Sequence, residues 1–274
     1  MFDHVTLRVS DLRDAQRFYS LAMATLGFGD PSRGDDFFEW DDLSIAAARG
    51  DKPVTRNLHL ALVARSRAAV DEWWGVMTGA GYRDDGAPGP RPQYHPDYYG
   101  GFVLDPDGNS VEAVTIGRER EGDNRIDHLW IGVRDLDASK RFYGTIAPVL
   151  GLRIAGERTE RFHVAAGDRS FALVADGRAP TENVHVAFPA PDNETVEEFH
   201  RVAVGAGYTD NGPPGERPVY HAGYYGAFVL DPDGNNVEAV TTTARSRSPS
   251  ASGRSPRRSS SSRPCWRSPR RASS

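Results

Sequence analysis

The chain opens with alternating apolar and polar residues. Phe2 to Val9 alternates strictly, a pattern that predicts a half-buried strand. Asp11 then begins an amphipathic helix that ends near Gly27, with Asp as the helix cap. Two short apolar runs follow, Phe37 to Trp40 and Leu43 to Ala48, and predict two strands joined by a tight turn. The order of these elements is β-α-β-β, with a short extra strand expected near Gly27 to Pro31.

The same pattern restarts at Leu58 to Val63, which predicts a second strand–helix unit. Its helix begins at Ser66 and ends at a Gly-Ala-Gly cluster. The stretch Asp84 to Pro92 is rich in Gly and Pro, and we expect a loop there. A hairpin then follows in His95 to Val114, HPDYYGGFVLDPDGNSVEAV, because Asp-Pro-Asp-Gly between apolar runs is a turn signal.

Everything in the first half recurs in the second. His221 to Val240, HAGYYGAFVLDPDGNNVEAV, repeats the hairpin 126 residues later. Internal repeats of this kind indicate duplicated units. We therefore predict an α+β protein of four βαβββ modules in two pairs, forming two cupped, incomplete barrels. The expected division is a first domain at 1–116, a linker at 117–125, a second domain at 126–243 and a tail at 244–274.

Charge is distributed unevenly along the chain. The tail carries nine of the 33 basic residues and no acid, which leaves 24 bases against 38 acids, a net charge of about −14, before it. Its Arg/Ser/Pro composition predicts disorder, and its role is either nucleic-acid or partner binding, or none. An acidic body argues against nucleic acid or an anionic membrane as its partner. We expect a small-molecule substrate and a monomer or homodimer.

Cysteine usage and hydropathy narrow the class further. The one cysteine, Cys265, lies in the tail, so we expect neither an internal disulfide nor a thiolate metal site. No apolar run approaches the length of a membrane span. The sequence begins with a strand pattern and shows no signal peptide. A cytoplasmic protein is the expectation.

Three ionisable residues occupy matching strand positions in each half, on the face opposite the branched aliphatics. Two histidines and one glutamate form a facial triad suited to a divalent ion, with positions left open for substrate. Satisfied core histidines and a hydrogen-bonded glutamate are the alternative for any one of them, but six matched positions favour a metal. Fe(II) or Mn(II) are the favoured ions, and Zn(II) or Ni(II) would also suit the site. The candidate ligands are His4, His59 and Glu112, then His128, His185 and Glu238.

On these motifs the chain, up to about residue 243, resembles the vicinal oxygen chelate superfamily, which includes glyoxalase I, extradiol dioxygenases and bleomycin-binding proteins. The resemblance implies paired βαβββ modules with ligands on the first, fifth and last strands of a pair. This assigns one site to the three ligands of the first half and another to those of the second. It also implies an enzyme that chelates vicinal oxygens of a small substrate.

Several reactions within the superfamily stay open, so dioxygenase and lyase or isomerase are both carried forward. The fourth-strand ligand usual in glyoxalase I has no counterpart here, and Phe102 and Phe228 stand where extradiol dioxygenases carry a tyrosine. A thiol transferase acting on an epoxide antibiotic is a further candidate. So is a drug-binding protein of the bleomycin-resistance type, which would bind its ligand without turning it over.

The hairpin motifs supply the candidate catalytic groups. His95 and His221 are candidate general acid/bases, because imidazole titrates near neutral pH. Tyr98 and Tyr224 are candidates to present a phenol at the pocket mouth. Turn anchoring is the alternative for the histidines, and rim packing is the alternative for the tyrosines.

Overall fold

A computed structural model describes residues 1–117 and 124–242, so most of the expected linker and the whole tail lie outside the described residues. The described chain contains four modules, each with one helix. The elements of the first half are β1 (His4–Val9), α1 (Leu12–Thr25), β2 (Ser32–Arg33), β3 (Phe37–Trp40), β4 (Leu43–Ala47), β5 (Leu58–Val63), α2 (Arg67–Gly79), β6 (Asp84–Pro90), β7 (Tyr99–Leu104) and β8 (Ser110–Thr115). Those of the second half are β9 (Ile126–Gly132), α3 (Leu136–Ile146), β10 (Arg153–Arg158), β11 (Arg161–Ala166), β12 (Arg169–Val174), β13 (His185–Pro189), α4 (Asn193–Gly205), β14 (Asp210–Glu216), β15 (Tyr224–Leu230) and β16 (Asn236–Thr242).

The strands form two open sheets of eight strands each. One runs β14-β15-β16-β13-β1-β4-β3-β2, and the other runs β10-β11-β12-β9-β5-β8-β7-β6. The predicted α+β class with incomplete barrels is confirmed, because neither sheet closes on itself. Each sheet joins one module from each half of the sequence.

The junctions between modules lie at the centres of the two sheets. Strand β1 runs antiparallel to β13, with His4 opposite Ala187. Strand β5 runs antiparallel to β9, with Ala61 opposite His128. The first module therefore pairs with the fourth, and the second pairs with the third.

Two threonines tie the halves together beside these junctions. The Thr55 hydroxyl donates to the carbonyl of Asn183 at 2.9 Å, and the Thr181 hydroxyl donates to the carbonyl of Asn57 at 2.9 Å. Both threonines are buried. Because a buried polar group without a partner costs free energy, these bonds favour the exchanged pairing of modules.

The helices cover the aliphatic face of each sheet, as the amphipathic pattern predicts. Val5, Leu7 and Val9 are buried in one core together with Phe18 of α1. Burial of such side chains provides most of the stabilisation of a sheet–helix layer. The opposite face of the strands carries the polar residues, among them His59 and Glu112, which line a cavity.

The expected loop at 84–92 is mostly a strand, so that prediction was wrong. Residues Asp84–Pro90 pair antiparallel with β7, with register shifts on both sides of Gly86. Gly86 has a φ of 154°, which favours glycine. Bulges of this kind let Gly- and Pro-rich segments remain in an edge strand. The short extra strand also lies slightly later than expected, at Ser32–Arg33.

Among the helices of the described ranges, none is long and apolar enough to span a membrane.

Candidate metal centres

Strand geometry brings the six predicted ligands into two groups of three. One group, the Glu112 triad, consists of His59, Glu112 and His128. The other, the Glu238 triad, consists of His4, His185 and Glu238. Within each triad one ligand atom per residue lies within 4.8 Å of the others.

The Glu112 triad lies on three neighbouring central strands, β8, β5 and β9. Nε2 of His59 is 3.1 Å from Oε2 of Glu112, and Nε2 of His128 is 3.6 Å from the same oxygen. Glu112 is completely buried. A buried carboxylate is costly unless it is paired or coordinates a metal, and here the two imidazoles face it.

The Glu238 triad repeats this arrangement on β16, β13 and β1. Oε2 of Glu238 is 3.0 Å from Nε2 of His185 and 3.7 Å from Nε2 of His4. The two imidazole Nε2 atoms are 3.1 Å apart. Two nitrogens bonded to one ion at about 2.1 Å each lie roughly 3 Å apart, so the separation suits shared coordination.

The membership of each triad corrects the sequence-based grouping. That grouping placed His4 with Glu112 and His128 with Glu238, each site being built within one half. In the structure these two histidines are exchanged, because β1 and β9 pair across the halves. Each site therefore takes two ligands from one half and one from the other.

An aspartate precedes the first-strand histidine in both triads and contacts its second ring nitrogen. Oδ1 of Asp3 is 2.9 Å from Nδ1 of His4, and Oδ1 of Asp127 is 2.9 Å from Nδ1 of His128. A metal-binding histidine usually donates its other N–H to such a carboxylate, which fixes the tautomer. The Nε2 lone pair is then directed into the triad. The repeated Asp-His dipeptide was the sequence signal for this role.

The fifth-strand histidines have different supports in the two triads. Oγ of Ser110 is 3.2 Å from Nδ1 of His59, and Nδ2 of Asn236 is 2.6 Å from Nδ1 of His185. A serine hydroxyl can accept a hydrogen bond from Nδ1, whereas the amide nitrogen can only donate. Ligation by Nε2 of His185 therefore requires the Asn236 amide to turn and present its oxygen.

Tyr98 and Tyr224, expected at the pocket mouth, are buried and contact the glutamates of the two triads, and Tyr98 also lines the cavity beside the Glu112 triad. The Tyr98 hydroxyl donates to Glu112, with Oε1 at 2.7 Å and Oε2 at 2.9 Å. The Tyr224 hydroxyl donates to Oε1 of Glu238 at 2.6 Å. Burial and the adjacent carboxylate raise the pKa of both phenols far above its ordinary value. Both tyrosines therefore stay protonated and hold the carboxylates in position.

Two glycines make room for the glutamates. A Cβ atom at Gly100 would collide with Oε1 of Glu112, and one at Gly226 would collide with Oε1 of Glu238. Each glycine follows its tyrosine pair in the sequence. The YYG motif thus provides both the donor to the glutamate and the space it occupies.

Burial shifts the proton equilibria of the triads. Desolvation lowers the pKa of His59, and it lowers the pKa of His185 to about 4. Desolvation also raises the pKa of Glu238 to about 7. Both imidazoles are thus neutral near pH 7, which is the form that binds metals.

The residues fit a divalent ion. Each triad offers two imidazole nitrogens and a carboxylate oxygen, the donor set of a 2-His-1-carboxylate site. Oε2 of Glu238 is buried and, although Nε2 of His185 lies 3.0 Å away, it receives no well-directed hydrogen bond in the described part of the chain. An ion coordinated by the two imidazoles would give this oxygen a partner.

His95 and His221 belong to neither triad and lie in the loops before β7 and β15, where His95 is exposed and His221 is half-buried. Nδ1 of His95 accepts from the backbone N–H of Asp97 at 3.1 Å, and Nδ1 of His221 is 2.9 Å from the carbonyl of Ala222. These contacts are those expected of turn-anchoring histidines. The general acid/base role stays a prediction for both.

The sequence matches one family model twice, over residues 1–113 and 125–239, described as the Glyoxalase/Bleomycin resistance protein/Dioxygenase superfamily. The chain belongs to this superfamily. A comparison with curated protein sequences found no match.

Solved structures of the superfamily show the same fold. Glyoxalase I from Zea mays aligns with a TM-score of 0.64 and 19% identity, covering 88% of this chain and 92% of that one. A putative dioxygenase from Bacillus subtilis subsp. subtilis str. 168 aligns with a TM-score of 0.61 and 15% identity, covering 89% of this chain and 85% of that one. At these identities the likeness concerns the fold, and the reaction has to be argued from the site.

Proposed function

We propose that the protein is a divalent-metal-dependent enzyme that chelates two vicinal oxygens of a small substrate at each of two sites. The observation that carries this proposal is the convergence of two imidazoles and one buried carboxylate in both triads. A bound divalent ion would supply Lewis acidity to the chelated oxygens. Three protein ligands leave positions free for those oxygens.

The residues around each triad prepare it for this task. Asp3 and Asp127 orient the first-strand imidazoles, and Tyr98 and Tyr224 orient the glutamates. Such outer contacts hold ligands within the narrow range of geometry that coordination needs. Fe(II) or Mn(II) are the proposed ions, and Zn(II) or Ni(II) would also suit the donor set. A cytoplasmic location stays a prediction.

Dioxygenase and lyase or isomerase chemistry differ in their need for a phenol near the substrate. The rings nearest His59 and His185 in the hairpin belong to Phe102 and Phe228, which carry no hydroxyl. In the described part of the chain, the hairpin tyrosines that contact the triads are Tyr98 and Tyr224, and their hydroxyls donate hydrogen bonds to the glutamates. Tyr94, however, lines the same cavity as His59 and Glu112, so dioxygenase and lyase or isomerase chemistry are both retained in the proposal.

A binding protein of the bleomycin-resistance type is the second candidate, because the concave side could hold a ligand without turning it over. Bleomycin-type binding needs no metal, so the donor sets favour the enzyme. A thiol transferase acting on an epoxide antibiotic is the third.

Metal binding tests the proposal. We expect purified protein to bind two equivalents of Zn²⁺ in a calorimetric titration, and His59→Ala or His185→Ala to bind one. His200→Ala is the matched control, because His200 pairs with exposed Asp210 away from both triads. Absence of bound metal, together with no metal-dependent thermal shift, would favour the binding protein. Oxygen uptake in a substrate screen would then separate a dioxygenase from a lyase or isomerase.

A further inference from the structure

The two sites differ in the side chain that lies two residues after the first-strand histidine. Next to the Glu112 triad this residue is Trp130, and next to the Glu238 triad it is Thr6. The Trp130 ring centroid is 5.4 Å from that of His59. It is partly exposed and lines a cavity of about 480 Å³ that also contains His59 and Glu112.

Trp130 is held by a cluster of charged residues. The guanidinium carbons of Arg161 and Arg178 lie 4.4 and 5.3 Å from its ring centroid, distances at which a cation and an aromatic ring attract each other. Asp176 in turn fixes Arg178 with two hydrogen bonds of 2.7 Å. A ring immobilised before binding contributes affinity at a lower cost in entropy.

This cluster is absent from the corresponding place by the Glu238 triad, within the described part of the chain. Lys52 occupies the position that corresponds to Arg178. Each of them lies five residues before an asparagine with a left-handed backbone conformation, Asn57 and Asn183 respectively. Phe37 stands where Arg161 does, as the strand registers show. The side chains that surround the two duplicated sites therefore differ.

The cavity beside Trp130 is also lined by Arg91, a cation without a carboxylate partner among the described residues. Arg91 lies 5.5 Å from the ring of Phe102. Its guanidinium donates to the carbonyls of Ala87 and Pro90, and within the described ranges no carboxylate lies within 4.0 Å of it. The lining also contains two acids, the buried Glu112 of the triad and the exposed Asp85. An unpaired arginine beside an aromatic wall is suited to an anion that carries a ring.

We propose that the Glu112 site selects a ligand with an aromatic ring and a negative charge beside its two oxygen donors, whereas the Glu238 site has no preference for the ring. The inference rests on the proposed metal function. It assigns ring selection to Trp130 and charge recognition to Arg91. The two sites of one chain would then serve different substrates.

Mandelate and lactate are matched probes, because both are 2-hydroxy acids and differ in a phenyl against a methyl group. Their binding is measured by calorimetry in two Zn²⁺-loaded variants. His185→Ala leaves the Glu112 site loaded, and His59→Ala leaves the Glu238 site loaded. We expect mandelate to bind about tenfold more tightly than lactate in the first variant, a ratio typical of one added aromatic contact, and equally in the second.

Single substitutions in the His185→Ala background then test the two residues. Trp130→Thr should bring the mandelate-to-lactate ratio close to one, Trp130→Phe should retain most of it, and Trp74→Phe, which changes a helix residue outside the cavity, should retain all of it. Arg91→Gln should weaken mandelate and lactate about equally. Equal binding of mandelate and lactate by the zinc-loaded His185→Ala variant would overturn this inference but not the proposed function. A mandelate-to-lactate ratio that Trp130→Thr leaves unchanged would do the same. Absence of zinc in both backgrounds would overturn the proposed function and the inference with it.

Discussion

The hydroxyl of Tyr98 provides a quantitative test of how the buried glutamate is held. Tyr98→Phe removes a donor that lies 2.7 and 2.9 Å from the two oxygens of Glu112, a side chain with no exposed surface. Hydrogen bonds to charged groups contribute about 1.5–3 kcal/mol, and after the substitution Glu112 retains only its contacts with the His59 and His128 imidazoles. We therefore expect the free energy of unfolding of the metal-free protein to fall by about 1.5–3 kcal/mol.

The expected change is large enough to measure by thermal or urea unfolding. For a chain of this size about 1 kcal/mol corresponds to roughly 2–4 °C in Tm, so the shift should be about 3–12 °C. Zinc affinity of the Glu112 site should also fall by about 10- to 100-fold, as is usual when a residue that supports a metal ligand is removed.

The neighbouring tyrosine provides the control. Tyr99 is more exposed, and its hydroxyl donates to Asp71 on helix α2, so Tyr99→Phe should cost less than about 1 kcal/mol and leave zinc affinity unchanged. Equal effects of the two substitutions on stability and zinc affinity would refute the reasoning that Tyr98 positions Glu112.

Two further predictions concern the exchange of modules between the halves. Thr55→Val should lower the free energy of unfolding by about 1–3 kcal/mol in urea titrations, because it leaves the backbone N–H of Arg8 and the carbonyl of Asn183 without their partner; an unchanged unfolding midpoint would contradict this. A protease site inserted between residues 117 and 124 should, after cleavage, leave the two halves co-migrating in gel filtration, because β1–β13 and β5–β9 pairing joins them; separate elution of two folded halves would refute the interleaved topology.

Local patterns were sufficient to predict the modules and the ligands but not their pairing. Alternation along β1 and β5 directed His4 and His59 away from the aliphatic core, and the structure places them so. Strands β1 and β9 carry the same Asp-His pattern, so either could pair with β5 without changing any local signal. The choice depends on contacts between segments far apart in the sequence, such as the bond from Thr55 to Asn183.

Two features of the site were visible in the sequence but were assigned differently or overlooked. Tyr98 was expected at the pocket mouth, and its burial depends on the return strand bringing Glu112 over Gly100. Asp127 was noted only as part of a repeated motif, although a carboxylate next to a candidate ligand is a frequent outer partner of metal-binding histidines. Strand β6 was missed because its glycines and prolines are typical of loops. In the structure, antiparallel pairing with β7 and the bulges around Gly86 allow these residues to remain in a strand.

The central claim, that each metal site is shared between the two halves, is tested most directly by zinc stoichiometry of paired substitutions. His4→Ala/His185→Ala removes two ligands of the same triad, so we expect the protein to retain one equivalent of Zn²⁺. His4→Ala/His59→Ala removes one ligand from each triad, and we expect it to retain none. The reverse result, no zinc with the first pair and one equivalent with the second, would show that each site is built within one half and would contradict the account.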